Sequence, residues 1–204
     1  PWDGGIDEPL SGEDWQILAP SSIPYLPHSQ PPIEMSTDDM HSVRKQFISA
    51  AINANDAGFD MIEVHLAHGY LLSSFISPFT NQREDDYGGN VENRMRFPLE
   101  VVSAVRAIWP ADKPISVRIS ATDWGEGGLS EAEMLKVAAM LKQAHVDIIN
   151  VSTGQVIKEE EPIYGRMFQV PYADQIRNEV RIPTIVAGNF TTADQVNTVI
   201  AAGR

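Results

Sequence analysis

Phe59-Asp60-Met61-Ile62-Glu63-Val64-His65-Leu66-Ala67-His68-Gly69-Tyr70 is the stretch that decides the fold. Residues 59–65 read as a short strand, apolar and β-branched at Ile62 and Val64. Two histidines three positions apart follow at once, then glycine and tyrosine. Chemistry-capable side chains therefore sit at the C-terminal end of a buried strand, which is where a parallel α/β barrel keeps its site.

Working outward, the chain alternates helix and strand. Upstream, Ser36 and Asp39 form a capping-box pattern, and Met40, Val43, Phe47, Ala50, Ala51 and Ala54 recur at helical spacing until Gly58. Downstream, helices are expected over residues 91–109, broken or bent near Pro98, and over 131–144 and 170–180. Strands are expected over residues 115–120, 147–152 and 183–187. Thr191 with Asp194 caps a last helix, and Gly203 takes its C′ position. The strands read as apolar on both faces, so they belong to a parallel sheet covered by helices. No G-x-G-x-x-G follows any of them, which weighs against a doubly wound dinucleotide fold. Polar residues instead recur at their C-terminal ends: Arg118 and Ser120, Ser152 and Thr153, Gly188 and Asn189.

The fold class is thus α/β, a partial TIM-type (β/α)8 barrel of about four parallel βα units behind a long irregular N-terminal loop. Residues 1–36, which hold seven of the 14 prolines, form that loop region, and residues 37–204 form the partial barrel. Four strands do not close an eight-stranded barrel, and the chain does not begin with methionine, so part of a longer protein is expected.

Composition excludes several functions. With 28 acidic against 15 basic residues and a net charge of −13, the surface repels phosphate backbones and anionic membranes, so neither nucleic acid nor membrane is an expected partner. The absence of cysteine excludes disulfides and thiolate chemistry and fits a reducing compartment, with the cytoplasm expected. No segment approaches the 18 or so apolar residues of a membrane span.

The pair His65 and His68 admits three readings from its residues alone: a structural pair, a metal site, or two N–H donors converging on an oxyanion. A metal-dependent barrel hydrolase follows from the second and a non-catalytic partial barrel from the first. Against metal, no third ligand is evident, Glu63 being assigned to the opposite strand face. Arg83, Asp85, Asp86 and Arg94 read as a structural ion-pair and capping network, and Glu159, Glu160 and Glu161 as a solvated charge run.

Beyond the histidines the sequence continues through Ser77-Pro78-Phe79-Thr80-Asn81-Gln82-Arg83-Glu84-Asp85-Asp86-Tyr87-Gly88-Gly89 to Glu92-Asn93-Arg94-Met95-Arg96-Phe97. Together these segments resemble the signature of the old yellow enzyme family of FMN-dependent NAD(P)H oxidoreductases. Leu18-Ala19-Pro20-Ser21 and Val117-Arg118-Ile119-Ser120 extend the likeness along residues 15–204. Within the family, Val151-Ser152-Thr153-Gly154-Gln155 and Tyr164-Gly165-Arg166-Met167-Phe168-Gln169 are most similar to the oxidoreductase domain attached to salicylyl-CoA or aminobenzoyl-CoA hydroxylases.

The resemblance implies an ene-reductase that takes hydride from NADH or NADPH through FMN to a conjugated carbonyl compound. His65 and His68 would hold the substrate carbonyl, with Tyr70 lining the pocket as a candidate proton donor. Arg118 would lie beside the flavin pyrimidine, and Gly188 and Asn189 at the FMN phosphate at the start of the last helix. Tyr164, Arg166 and Gln169 would form a loop over the substrate. The first three strands and the last strand of such a barrel would lie outside this chain, and a small-molecule substrate and a homo-oligomer are expected for the full-length protein.

Overall fold

The structure, a computed structural model, describes residues 15–204; the expectations for residues 1–14 of the N-terminal loop lie outside the described residues. The loop's remainder contains one small regularity. Strand β1 (Leu18–Ala19) pairs in parallel with β2 (Ile33–Glu34) and closes residues 20–32 into a loop.

Four further strands form one parallel sheet in the order β3 (Ile62–Leu66), β4 (Ile115–Ser120), β5 (Ile148–Ser152), β6 (Thr184–Val186). Each neighbour in space is the next strand in sequence. A doubly wound sheet would reverse its order somewhere, whereas this unreversed progression is that of a barrel wall. Parallel strands must return by crossovers. Those are supplied by α2 (Leu71–Ile76), α3 (Val91–Arg94) and α4 (Arg96–Ile108), then α5 (Glu131–Gln143), then α6 (Val170–Gln175) with a π-helical turn, Ile176–Val180. A last helix, α7 (Ala193–Ala201), follows β6, and α1 (Thr37–Asp56) packs on α4.

The strands correct the expectation of two apolar faces. Val64, Leu66, Ile115, Val117, Ile119, Ile149 and Val151 are buried and face the helices. There they meet Phe97, Val101, Val102 and Val105 of α4 and Met134, Val137, Ala138 and Leu141 of α5, all buried in the same core. Burying each large side chain contributes roughly 1.5–3 kcal/mol, so this face holds the sheet to its helices. The alternate residues are polar. Register places Glu63 beside Ser116, His65 beside Arg118, Arg118 beside Asn150, and Ser120 beside Ser152. Glu63 therefore shares the face of His65, because residues two apart on a strand point the same way. Its carboxylate accepts from Ser116 Oγ at 2.8 Å and Asn150 Nδ2 at 3.0 Å, a hydrogen-bonded link across three strands.

Helix ends follow local chemistry. Ser36 and Asp39 form the expected capping box, and Gly58 just beyond α1 adopts φ +85°. The break expected near Pro98 falls at Met95, where α3 ends and α4 begins. Proline has no N–H and crowds the carbonyl four residues before it, so the disturbance lands one turn upstream. The last helix is capped by Thr192, which accepts from the Gln195 N–H, rather than by Thr191 with Asp194. The short helix α2 was not anticipated, and its six residues are too few to show a periodicity.

The charged network expected in the signature segment is present and mostly structural. Arg83 pairs with Asp85 and Glu34 and donates to the carbonyls of Pro20 and Met35, pinning the N-terminal loop to the segment. Asp86 contributes its backbone carbonyl, to Arg96. Arg94 is buried; it donates to the carbonyls of Ile76 and Gly89 and pairs with Glu133 at 2.7 Å. Glu160 departs from the solvated-run reading, since its carboxylate accepts the Gln155 N–H.

Replacing Arg94 by Leu strands two carbonyls and a carboxylate together. The variant of the full-length protein is expected to lose about 3 kcal/mol or more of unfolding free energy, read as a lowered urea midpoint at unchanged m-value. A midpoint shift equivalent to less than about 1 kcal/mol would show that Arg94 is not the tie described.

Candidate active site

The site is built where the polar strand face runs out at its C-terminal end. β3 delivers His65 and then turns sharply: His68 adopts φ +62° and Gly69 φ +69°. Two consecutive left-handed residues fold the chain back, so the imidazole rings of His65 and His68 come to 5.1 Å between centroids at 68°. Gly69 is required by space as well, because a Cβ there would lie 2.6 Å from the Gln155 carbonyl oxygen. Tyr70 follows, its ring 5.2 Å from that of His65 and its side chain largely exposed.

His68 is held twice. Its backbone N–H donates to Ser120 Oγ at 3.0 Å, and Ser120 in turn donates to the Gly154 carbonyl at 2.9 Å. Its ring Nε2 lies 2.7 Å from Ser152 Oγ. Gln169, buried at the start of α6, donates to Thr153 Oγ1 at 3.3 Å and approaches Ser152 Oγ at 3.5 Å. Ser120 and Ser152 received no role in the sequence reading. The signal available was their place at the ends of the two strands next to the histidine strand.

Electrostatics keep both rings uncharged near neutrality. Burial, then the Arg118 guanidinium, lower the pKa of His65, against a smaller opposite pull from Glu63. The same two causes with His65 as a third bring His68 down to about 4. A neutral imidazole carries one N–H, so each ring offers one donor and one acceptor. Arg118 lies beside His65 in register, and its Nε is buried with no hydrogen-bond partner. Such an atom costs free energy unless an acceptor meets it. Gln169 Oε1 is in the same condition.

The remaining expected residues divide. Gly188 at φ +97° and Asn189 at φ +59° lie in the loop before α7, four and three residues ahead of its cap Thr192 rather than at the helix start. A Cβ on Gly188 would stand 2.9 Å from the Phe168 ring and 3.1 Å from Gln169, so only glycine fits. Asn189 Nδ2 donates to the Gly165 carbonyl at 3.2 Å, joining this loop to the segment of Tyr164 and Arg166. Those two side chains are exposed, with Tyr164 edge-on to Phe168, whereas Gln169 is buried and faces Ser152 and Thr153. A cleft of about 860 Å³ opens beside Tyr70, between residues 17–32, Phe79 and Val156. It reaches the site through Gly69 and Tyr70, and the histidines do not line it. Among the described residues no three His, Asp or Glu side chains gather as a metal-ligand set, and no helix is long and apolar enough to cross a membrane.

Comparison with known proteins places these features. The NADPH dehydrogenases of Geobacillus sp. (strain WCH70) and Bacillus pumilus (strain SAFR-032) are 41% and 43% identical over 191 and 187 residues, 94% and 92% of this chain. The chain spans about half the length of these curated relatives, 55% and 54%. In structure it is similar to a 2-naphthoyl-CoA reductase (TM-score 0.83, 26% identity, 92% of this chain and 29% of that one). It is also similar to morphinone reductase (TM-score 0.75, 25% identity, 92% of this chain and 54% of that one). Residues 8–204 match the NADH:flavin oxidoreductase / NADH oxidase family, and the chain belongs to that family.

Proposed function

We propose that the complete protein is an FMN-dependent oxidoreductase that passes hydride from NAD(P)H to the activated C=C of a conjugated carbonyl compound. The observation that carries this reading is the juxtaposition, at the C-terminal end of one polar strand face, of two neutral imidazoles with an arginine whose Nε has no protein acceptor. Bound FMN would accept hydride from the nicotinamide and release it to the substrate β-carbon.

The residues present fit that group. Arg118 would hold the pyrimidine side of the ring, supplying fixed positive charge where the reduced ring is anionic. Gly188 and Asn189 would hold the phosphate through backbone N–H groups. His65 and His68 would donate to the substrate carbonyl oxygen and take up the negative charge that develops there as the β-carbon gains hydride. The α-carbon then takes a proton from Tyr70 or water, which restores a saturated carbonyl compound. Tyr164, Arg166 and Gln169 would form the loop over the substrate, Gln169 anchoring its end through Thr153.

An aromatic acyl-CoA, or its dearomatised product, is the proposed substrate class. The structural likeness to a 2-naphthoyl-CoA reductase in complex with 2-naphthoyl-CoA supports it, in line with the resemblance of residues 151–155 and 164–169 to the oxidoreductase domain attached to salicylyl-CoA or aminobenzoyl-CoA hydroxylases. The full-length protein is proposed to be a cytoplasmic homo-oligomer.

In the full-length flavoprotein, His65→Ala and His68→Ala are each expected to slow reoxidation of the reduced flavin by an enone roughly 10²–10³-fold. Reduction of the flavin by NAD(P)H should stay close to normal. Stopped-flow measurement of both half-reactions, with flavin occupancy recorded, checks this, and an unchanged oxidative half-reaction in both variants removes the oxyanion role. Arg118→Met is expected to lower the flavin reduction potential and slow flavin reduction; a titration showing the wild-type potential would take Arg118 out of the cofactor site. The charge state has a further consequence. Because the folded-state pKa of His68 lies near 4 and its unfolded value near 6.5, its neutral form contributes stability that is complete above pH 6.5 and lost as pH falls toward 4. Denaturant midpoints from pH 7 to 4 should fall less steeply for His68→Gln than for the wild type, and parallel profiles would contradict the depressed pKa.

A further inference from the structure

We propose that Ser152 is a positioning residue that fixes the tautomer of His68, so that His68 meets the substrate oxygen with Nδ1–H. The inference deepens the oxyanion role proposed above and rests on it. Three observations carry it. First, Ser152 Oγ lies 2.7 Å from His68 Nε2, an O–H···N distance, and Ser152 is only 3% exposed. Second, the other neighbour of that oxygen is Gln169 Nε2 at 3.5 Å, and an amide nitrogen only donates. Third, the turn carrying His68 is fixed independently by its backbone bond to Ser120, so the ring is not free to seek another partner by moving the chain.

The proton count then follows. Ser152 Oγ accepts on the side of Gln169, and its one buried hydroxyl hydrogen meets no acceptor other than His68 Nε2 among the described residues. Nε2 must accept that hydrogen, and a neutral imidazole with an accepting Nε2 carries its proton on Nδ1. Gln169 therefore acts at second hand: it orients Ser152, and Ser152 orients the ring. Neither touches the reacting atoms. Because an oxyanion stabiliser works only with a hydrogen directed at the developing charge, a ring left to exchange tautomers would present an acceptor part of the time and repel that charge.

The test uses the full-length flavoprotein labelled with 15N at histidine. In the wild type the His68 resonances are expected to report a protonated Nδ1 and a bare Nε2. Ser152→Ala should give a mixture of tautomers and slow the oxidative half-reaction roughly tenfold, with flavin reduction unchanged, and Ser152→Thr, which restores a hydroxyl, should recover both. Gln169→Glu offers Ser152 an acceptor, so the hydroxyl hydrogen should turn to it and the His68 proton should move to Nε2. A wild-type His68 protonated on Nε2 overturns the proposal, as does an Ser152→Ala variant with unaltered ring signals. Should Ser152→Ala not fold, the Gln169→Glu spectrum decides alone: no shift of the proton overturns it. The ring signals are read without turnover, so a failure of the oxyanion role, seen as normal kinetics in His68→Ala, is distinguishable from a failure of the tautomer control.

Discussion

Alternation along a strand is the constraint on which the rest of the molecule depends. With side chains pointing to opposite faces at every step, a strand whose alternate positions must meet helices has only the positions between them left for chemistry. Parallel pairing then aligns those positions across strands, so that Glu63, Ser116 and Asn150 lie in one cluster, His65 and Arg118 in the next, and Ser120 and Ser152 at the rim. A one-residue slip of β3 or β4 would turn Glu63 or Arg118 toward the core of Phe97, Val101 and Leu141. The hydrophobic core therefore sets the register of the site although no core residue belongs to it.

Charge within that arrangement is unevenly compensated. Glu63 is bound to Ser116 and Asn150, while Arg118 leaves Nε without a partner on the same face. The arginine both depresses the histidine pKa values and marks where an acceptor is to be met. One residue thus ties the protonation of the imidazoles to the place proposed above for the flavin.

Most of the fold was legible because its signals are local. The capping box at Ser36 and Gly203 after α7 each act through neighbouring residues. The histidine pair was legible as a pair because a spacing of three on a turn is itself a geometry. What was misread depended on comparing positions. Ile62-Glu63-Val64-His65-Leu66 and Ser116-Val117-Arg118-Ile119-Ser120 alternate visibly, yet averaging their hydrophobicity conceals the polar face. Assigning Glu63 to the far side reversed the same rule. Contacts made across long sequence separations, such as Ser152 with His68 and Gln169 with Ser152, carry no local signature, and only the fold brings them together.

The close approach of Gly69 to the Gln155 carbonyl has a mechanical reading. The histidine turn after β3 leans on the backbone that follows β5, and that backbone is itself fastened by the Glu160 carboxylate to the Gln155 N–H. Gly154 beside it is walled by Trp124 and Glu160. The loop of residues 154–161 is thus a buttress for the turn that carries His68, whereas His65 is held within β3. A change in that loop is an adjustment separate from the sheet, one that moves His68 relative to His65 without rewriting either residue.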